Sequence, residues 1–89
     1  MIRRELTIVN EKGLHARASA KFVETVEAHD AQVEVEKDGL SVAGDSIMGL
    51  LTLGASRGSV ISVSVSGPEA EPLAEAIEAL VASGFGEAM

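Results

Sequence analysis

His15 and Arg17 stand two residues apart in the run Asn10-Glu11-Lys12-Gly13-Leu14-His15-Ala16-Arg17-Ala18-Ser19-Ala20. An imidazole offers a nucleophilic nitrogen. A guanidinium offers a permanent charge in a fork that matches phosphate oxygens. The chemistry these residues could do depends on where the chain puts them. Upstream, Ile2, Leu6 and Ile8 alternate as in a half-buried strand. Downstream, Phe22, Val23 and Val26 follow the period of a helix packed on one side. Gly13 punctuates the turn between them. His15 therefore falls at the helix cap, with Ala16 and Arg17 in the first turn. Backbone N–H groups there lack intrahelical partners, and the macrodipole makes that end positive. This favours a neutral ring with a free lone pair and cradles an anion such as phosphate. A lone histidine at such a place is more often a cap or a surface residue. The added Arg17 and the free amides make phosphoryl acceptance at His15 the sharper reading.

The elements follow in order. The first strand is expected over Ile2 to Val9, and the first helix ends near Ala28. His29, near that helix's C-terminal end, reads as an ordinary surface residue. Val33 and Val35 alternate with polar residues, Asp38-Gly39 suits a tight hairpin turn, and Leu40 and Val42 continue on the returning strand. Gly44-Asp45-Ser46 opens a short helix in which Asp45 or Ser46 can cap. Its Ile47, Met48, Leu50, Leu51 and Leu53 cannot all face one core, so some are exposed and mark a docking surface. After Gly54, Ile61, Val63 and Val65 alternate with serines in the clearest strand, over Ser59 to Ser66. Gly67-Pro68 breaks it. Leu73, Ala76, Ile77, Leu80 and Val81 mark one face of a final helix that ends at Ser83-Gly84. The tail to Met89 carries no readable signal. The order β-α-β-β-α-β-α suits an α+β two-layer sandwich with the helices on one face of the sheet. The residues alone leave the strand order open.

Composition narrows the function classes. A chain of 89 residues supports one domain (1–89) and one modest core. With Phe22 and Phe85 its only aromatics, that core is expected to be aliphatic. A net charge of −7 without a basic stripe argues against nucleic acid and suits basic patches on partner proteins. There is no cysteine, so disulfides and thiolate metal sites are excluded. No metal-ligand spacing and no GxxxxGK loop occur, so no metal and no cofactor is expected. No apolar run approaches spanning length and no signal peptide is visible, so the expectation is no membrane insertion and a cytoplasmic location.

Gly13-Leu14-His15-Ala16-Arg17 resembles the active-site signature of the HPr family, the histidine phosphocarriers of the bacterial phosphotransferase system. Ser46-Ile47-Met48-Gly49-Leu50 resembles that family's second signature at the expected distance. The likeness covers nearly the whole chain. It implies a four-stranded antiparallel sheet in order 1-4-2-3. It implies that His15 takes a phosphoryl group on Nδ1 from Enzyme I and passes it to an Enzyme II (EIIA-type) component. Ala16, Arg17 and the backbone amides there would bind the phosphate. Ser46 matches a serine phosphorylated in many relatives by a dedicated serine kinase/phosphorylase, which would be a further partner; the alternative for Ser46 is an ordinary cap. Ala16, Ala20, Ile47, Met48 and Leu51 would dock partners, and the protein would act as a monomer. Two departures stand out: Ala18 replaces the family's usual proline, and Asp45 stands where lysine is common. Within the carrier reading, sugar uptake and the nitrogen-related regulatory branch remain open. A regulatory binding module in which His15 is only a cap is the reading from another class. A free-standing hydrolase fits less well, since no second general acid or base accompanies His15.

Overall fold

The computed structural model describes residues 1–87. Strand β1 (Ile2–Thr7) is followed by helix α1 (Ala16–Glu27), the hairpin of β2 (Gln32–Lys37) and β3 (Leu40–Ala43), and helix α2 (Ile47–Thr52). Strand β4 (Val60–Ser66) and helix α3 (Ala70–Ala82) come next, and a 3-10 turn over Gly84–Gly86 ends the described chain. The four strands form one antiparallel sheet in the order β1-β4-β2-β3. Fold class, element order and strand order are thus those the sequence and its family likeness imply.

The register explains the two faces. Leu6 stands opposite Ile61, Val63 opposite Val35, and Val65 opposite Val33, so their side chains share the covered face. On the other face Arg3, Glu5, Glu36 and Ser62 form a solvated polar network across β1, β4 and β2, joined by the Arg3–Glu5 and Arg3–Glu36 ion pairs and the Ser62–Glu5 hydrogen bond. Helix α3 lies against β1 and β4, while α1 packs on both α3 and α2. The core is mainly aliphatic, but both phenylalanines are also fully buried within it, contrary to an all-aliphatic expectation. Scarcity of aromatics does not put them outside; it makes each a large anchor.

Three details differ from the sequence reading. Strand β1 ends at Thr7 rather than Val9, although Ile8 still donates to Ser59 O (2.8 Å) and accepts from Gly58 N (2.8 Å). Alternation could not reveal that the ladder passes here into a loop-to-loop pairing. The buried face of α3 comprises Leu73, Ala74, Ile77 and Val81, with Ala76 and Leu80 only half-buried. The tail beyond Ser83, read as featureless, instead turns back into the molecule. Ala88 and Met89 lie outside the described residues.

Candidate functional site

Two loops clamped together set the position of His15. Gly13 has φ +67°, and a Cβ on it would lie 2.5 Å from Ala55 O, so only glycine fits this close approach. Leu14 N then donates to Ala55 O at 2.8 Å. Fully buried Ser19 donates its hydroxyl to Leu14 O (3.3 Å), and its N–H donates to His15 O (2.8 Å), the first turn of α1. His15 is thereby held in extended conformation as the N-cap of α1.

Both ring nitrogens of His15 are engaged. Nδ1 accepts the Arg17 backbone N–H at 3.3 Å. Nε2 lies 2.5 Å from a carboxylate oxygen of Glu87. Hydrogen bonds from His15, then from Asn10, hold the Glu87 carboxyl below its ordinary value, so it is ionised at neutral pH and can only accept. A backbone N–H can only donate. The proton therefore belongs on Nε2 and the lone pair on Nδ1, the nitrogen that faces the helix amides. The long Arg17 bond costs little to exchange for a phosphate oxygen. Ala18 is the third residue of α1 and fully buried, and its N–H falls in the first turn, so a proline there would remove no intrahelical hydrogen bond.

Glu87 is the residue that sequence reasoning missed. Gly84, Phe85 and Gly86 all have positive φ, at +66°, +59° and +73°. Phe85 sits in the core at 0% exposure, and Lys21 Nζ donates to its carbonyl at 2.7 Å. Burying a phenylalanine contributes about 1.5–3 kcal/mol, which outweighs the ~1–2 kcal/mol of left-handed backbone at a non-glycine residue. The Gly-Phe-Gly run was the available signal: an apolar anchor between two residues free to turn. His15, Arg17, Lys12, Lys21, Glu11 and Glu87 then line a shallow cleft of about 370 Å³. Three cations gather there in a chain of net charge −7. Among the described residues the Arg17 guanidinium makes no hydrogen bond or ion pair, which leaves its fork free for an anion. The cleft can hold a phosphoryl group against a nucleophilic nitrogen.

The second motif lies on α2. Ser46 is its N-cap and accepts Gly49 N–H at 3.0 Å. Leu50 and Leu53 enter the core, while Ile47, Met48 and Leu51 remain 40%, 72% and 37% exposed. Ala16 is exposed and Ala20 half-buried on the neighbouring α1. His29 caps the other end of α1, its Nδ1 2.8 Å from Thr25 O, away from the cleft-lining set. Among the described residues no helix is long and apolar enough to cross a membrane.

The family described as PTS HPr component phosphorylation site matches residues 2–83. The phosphocarrier protein HPr of Cupriavidus necator is 40% identical over 98% of both chains. The phosphocarrier protein NPr of Escherichia coli K12 is 34% identical over 97% of both. A crystal structure of HPr-C-His from Thermoanaerobacter tengcongensis superposes with a TM-score of 0.95 at 40% identity, covering all of both chains.

Proposed function

Since the chain belongs to the PTS HPr family of phosphocarriers, we propose that His15 is its phosphoryl acceptor, charged on Nδ1 by Enzyme I and discharged to an Enzyme II (EIIA-type) component. The observation that carries this reading is the Nδ1 lone pair, directed at the first-turn amides of α1 beside an Arg17 fork that has no partner among the described residues. In-line attack places negative charge on three equatorial oxygens. The amides of Ala16 and Arg17 and the guanidinium are preorganised to receive it. The shallow, open cleft suits a carrier, which must let two different partners reach the same phosphorus. Ile47, Met48 and Leu51, with Ala16 and Ala20, supply the apolar surface against which those partners would dock. Ser46 would be the regulatory site of a serine kinase/phosphorylase, since a phosphate at the start of α2 adds charge next to that surface. The protein would work as a cytoplasmic monomer without metal or cofactor. The likeness to an NPr as well as to HPr proteins keeps the regulatory branch as a second reading, in which the same chemistry signals instead of feeding uptake.

Incubation with Enzyme I and phosphoenolpyruvate tests the assignment. The wild type should gain one acid-labile phosphate per chain, His29→Ala should do the same, and His15→Ala should gain none. Label that persists in His15→Ala would refute the acceptor assignment and leave the docking-module reading in its place.

A further inference from the structure

The Glu87 carboxylate decides which His15 nitrogen carries the proton in the resting ring, and it is held with more care than that task or a surface ion pair requires. One oxygen lies 2.5 Å from His15 Nε2, and the other accepts from Asn10 Nδ2 at 3.1 Å. Asn10 is fully buried and its Nδ2 also donates to Gly13 O at 2.8 Å, so the carboxylate is tied to the same loop that sets His15. The Glu87 side chain is only 16% exposed. Behind it, buried Phe85 and the Lys21 bond to its carbonyl fix the backbone.

We propose that Glu87 is a positioning residue for phosphoryl transfer: it keeps the proton on Nε2 of His15 and stands opposite the ring charge that appears when Nδ1 is phosphorylated. The proposal rests on the reading of His15 as acceptor. In the loading step the Nδ1 lone pair forms the N–P bond, while the bond from phosphorus to the donor atom on Enzyme I breaks and its electron pair stays with the donor. The Nε2 proton is retained, so the ring becomes cationic, and Glu87 faces that charge. In the unloading step the Nδ1–P bond breaks, its electron pair returns to Nδ1, and the ring is neutral with the same proton on Nε2. Without the carboxylate the phosphorylated ring could shed the Nε2 proton, and the leaving group would then be an imidazolate, which departs poorly. Glu87 thus keeps the phosphoryl group transferable as well as directing where it is placed. Lys12, Arg17 and Lys21 share the cleft, and among the described residues Glu11 is the one other carboxylate on its wall. None of these is within hydrogen-bond reach of Nε2.

Nitrogen-15 NMR of the His15 ring and transfer kinetics test the proposal on wild type, Glu87→Gln and Glu87→Ala, each first checked for a cooperative thermal melt. In the neutral ring, wild type and Glu87→Gln should hold the proton on Nε2, because the glutamine oxygen also accepts, while Glu87→Ala should populate both tautomers. With Enzyme I and phosphoenolpyruvate all three should take one phosphate per chain. The rate of transfer onward to an EIIA-type acceptor should fall about tenfold in both variants, the low end of what losing a group behind a reacting ligand does, with KM unchanged. Glutamine thereby rescues the tautomer but not the rate, a split that a purely structural role would not produce. Equal tautomer populations in wild type and Glu87→Ala, or equal rates in all three, overturns the role of Glu87. A wild type that takes no label overturns the carrier reading and this proposal with it, a result distinct from variants that label and transfer normally.

Discussion

Helices α1 and α2 start in the same way but differ in the groups that stand behind the cap. Each is preceded by an extended residue whose side chain accepts a first-turn N–H: His15 Nδ1 from Arg17 at 3.3 Å, and Ser46 Oγ from Gly49 at 3.0 Å. Both starts offer an anion the same unpaired amides and the same dipole end. They differ in what stands behind the cap. His15 has a second ring nitrogen gripped by Glu87, and three cations line its cleft. Ser46 has Asp45 beside it and, among the described residues, no base in hydrogen-bond contact with its hydroxyl. A serine hydroxyl without a base is a weak nucleophile at neutral pH, so a phosphate there depends on another enzyme's catalytic groups. A capped helix start provides a cradle. Reactivity comes from the groups that set the cap's proton.

The largest break in this comparison should come from the loop that holds His15 in place. Gly13→Ala meets both a positive φ of +67° and a Cβ 2.5 Å from Ala55 O. Backbone strain and overpacking each cost about 1–3 kcal/mol, so a loss of about 3 kcal/mol is expected. For a domain of this size that lowers the melting temperature by about 15 °C. At the other start, Gly49 is helical and its added Cβ would meet Val42 Cβ at 3.1 Å. Alanine regains about 1 kcal/mol of helix propensity there, which offsets the crowding. Thermal melts of the two variants should therefore differ widely. A Gly13→Ala protein as stable as Gly49→Ala would mean that the Gly13–Ala55 contact does not fix the site.

The two starts were unequally legible in the sequence. Alternation in β2 and β4, the Asp38-Gly39 turn and the helical stripe of α1 are local signals, and each placed its element. The surplus of apolar residues on α2 likewise required that some be exposed, since so short a helix has one buried side, and Ile47, Met48 and Leu51 are the ones left outside. His15 and Arg17 are also local, two residues apart on one helix start. Glu87 is not: it meets His15 across 72 positions, and no periodicity in a chain reports such a contact. Its arrival depends on three consecutive positive-φ residues around one buried ring, which alternation and helical period do not describe. The Gly13–Ala55 clamp was half legible, as a turn glycine without its neighbour.

A smaller effect separates caps by function. Ser46→Ala should cost about 1 kcal/mol, the usual loss of a serine N-cap, and leave the labelling of His15 by Enzyme I intact. His15→Ala should carry a similar stability loss while abolishing labelling. Equilibrium unfolding beside the phosphorylation assay checks both, and impaired labelling of Ser46→Ala would show that the two starts are coupled.

The smallest expected effect is one of pH, and it tests whether the charge behind the His15 cap is felt by the fold. The folded Glu87 carboxyl titrates below its ordinary value of 4.5 because it is hydrogen-bonded first by His15 and then by Asn10. A carboxyl whose folded value is depressed binds fewer protons in the folded state, so its contribution is fully present above the unfolded value. It is lost as pH falls through the folded one. Glu87→Gln removes the charge and keeps an acceptor. Its melting temperature should therefore lie slightly below that of wild type at neutral pH. The gap should begin to close once the pH passes under 4.5 and vanish below the depressed folded value. Ser46→Ala supplies the contrast: the replaced hydroxyl does not titrate over this range, so its gap from wild type should stay level. A Glu87→Gln gap as flat as the Ser46→Ala gap would mean that the carboxylate is not held by His15 and Asn10 in solution, and the two helix starts would then differ only in the identity of their caps.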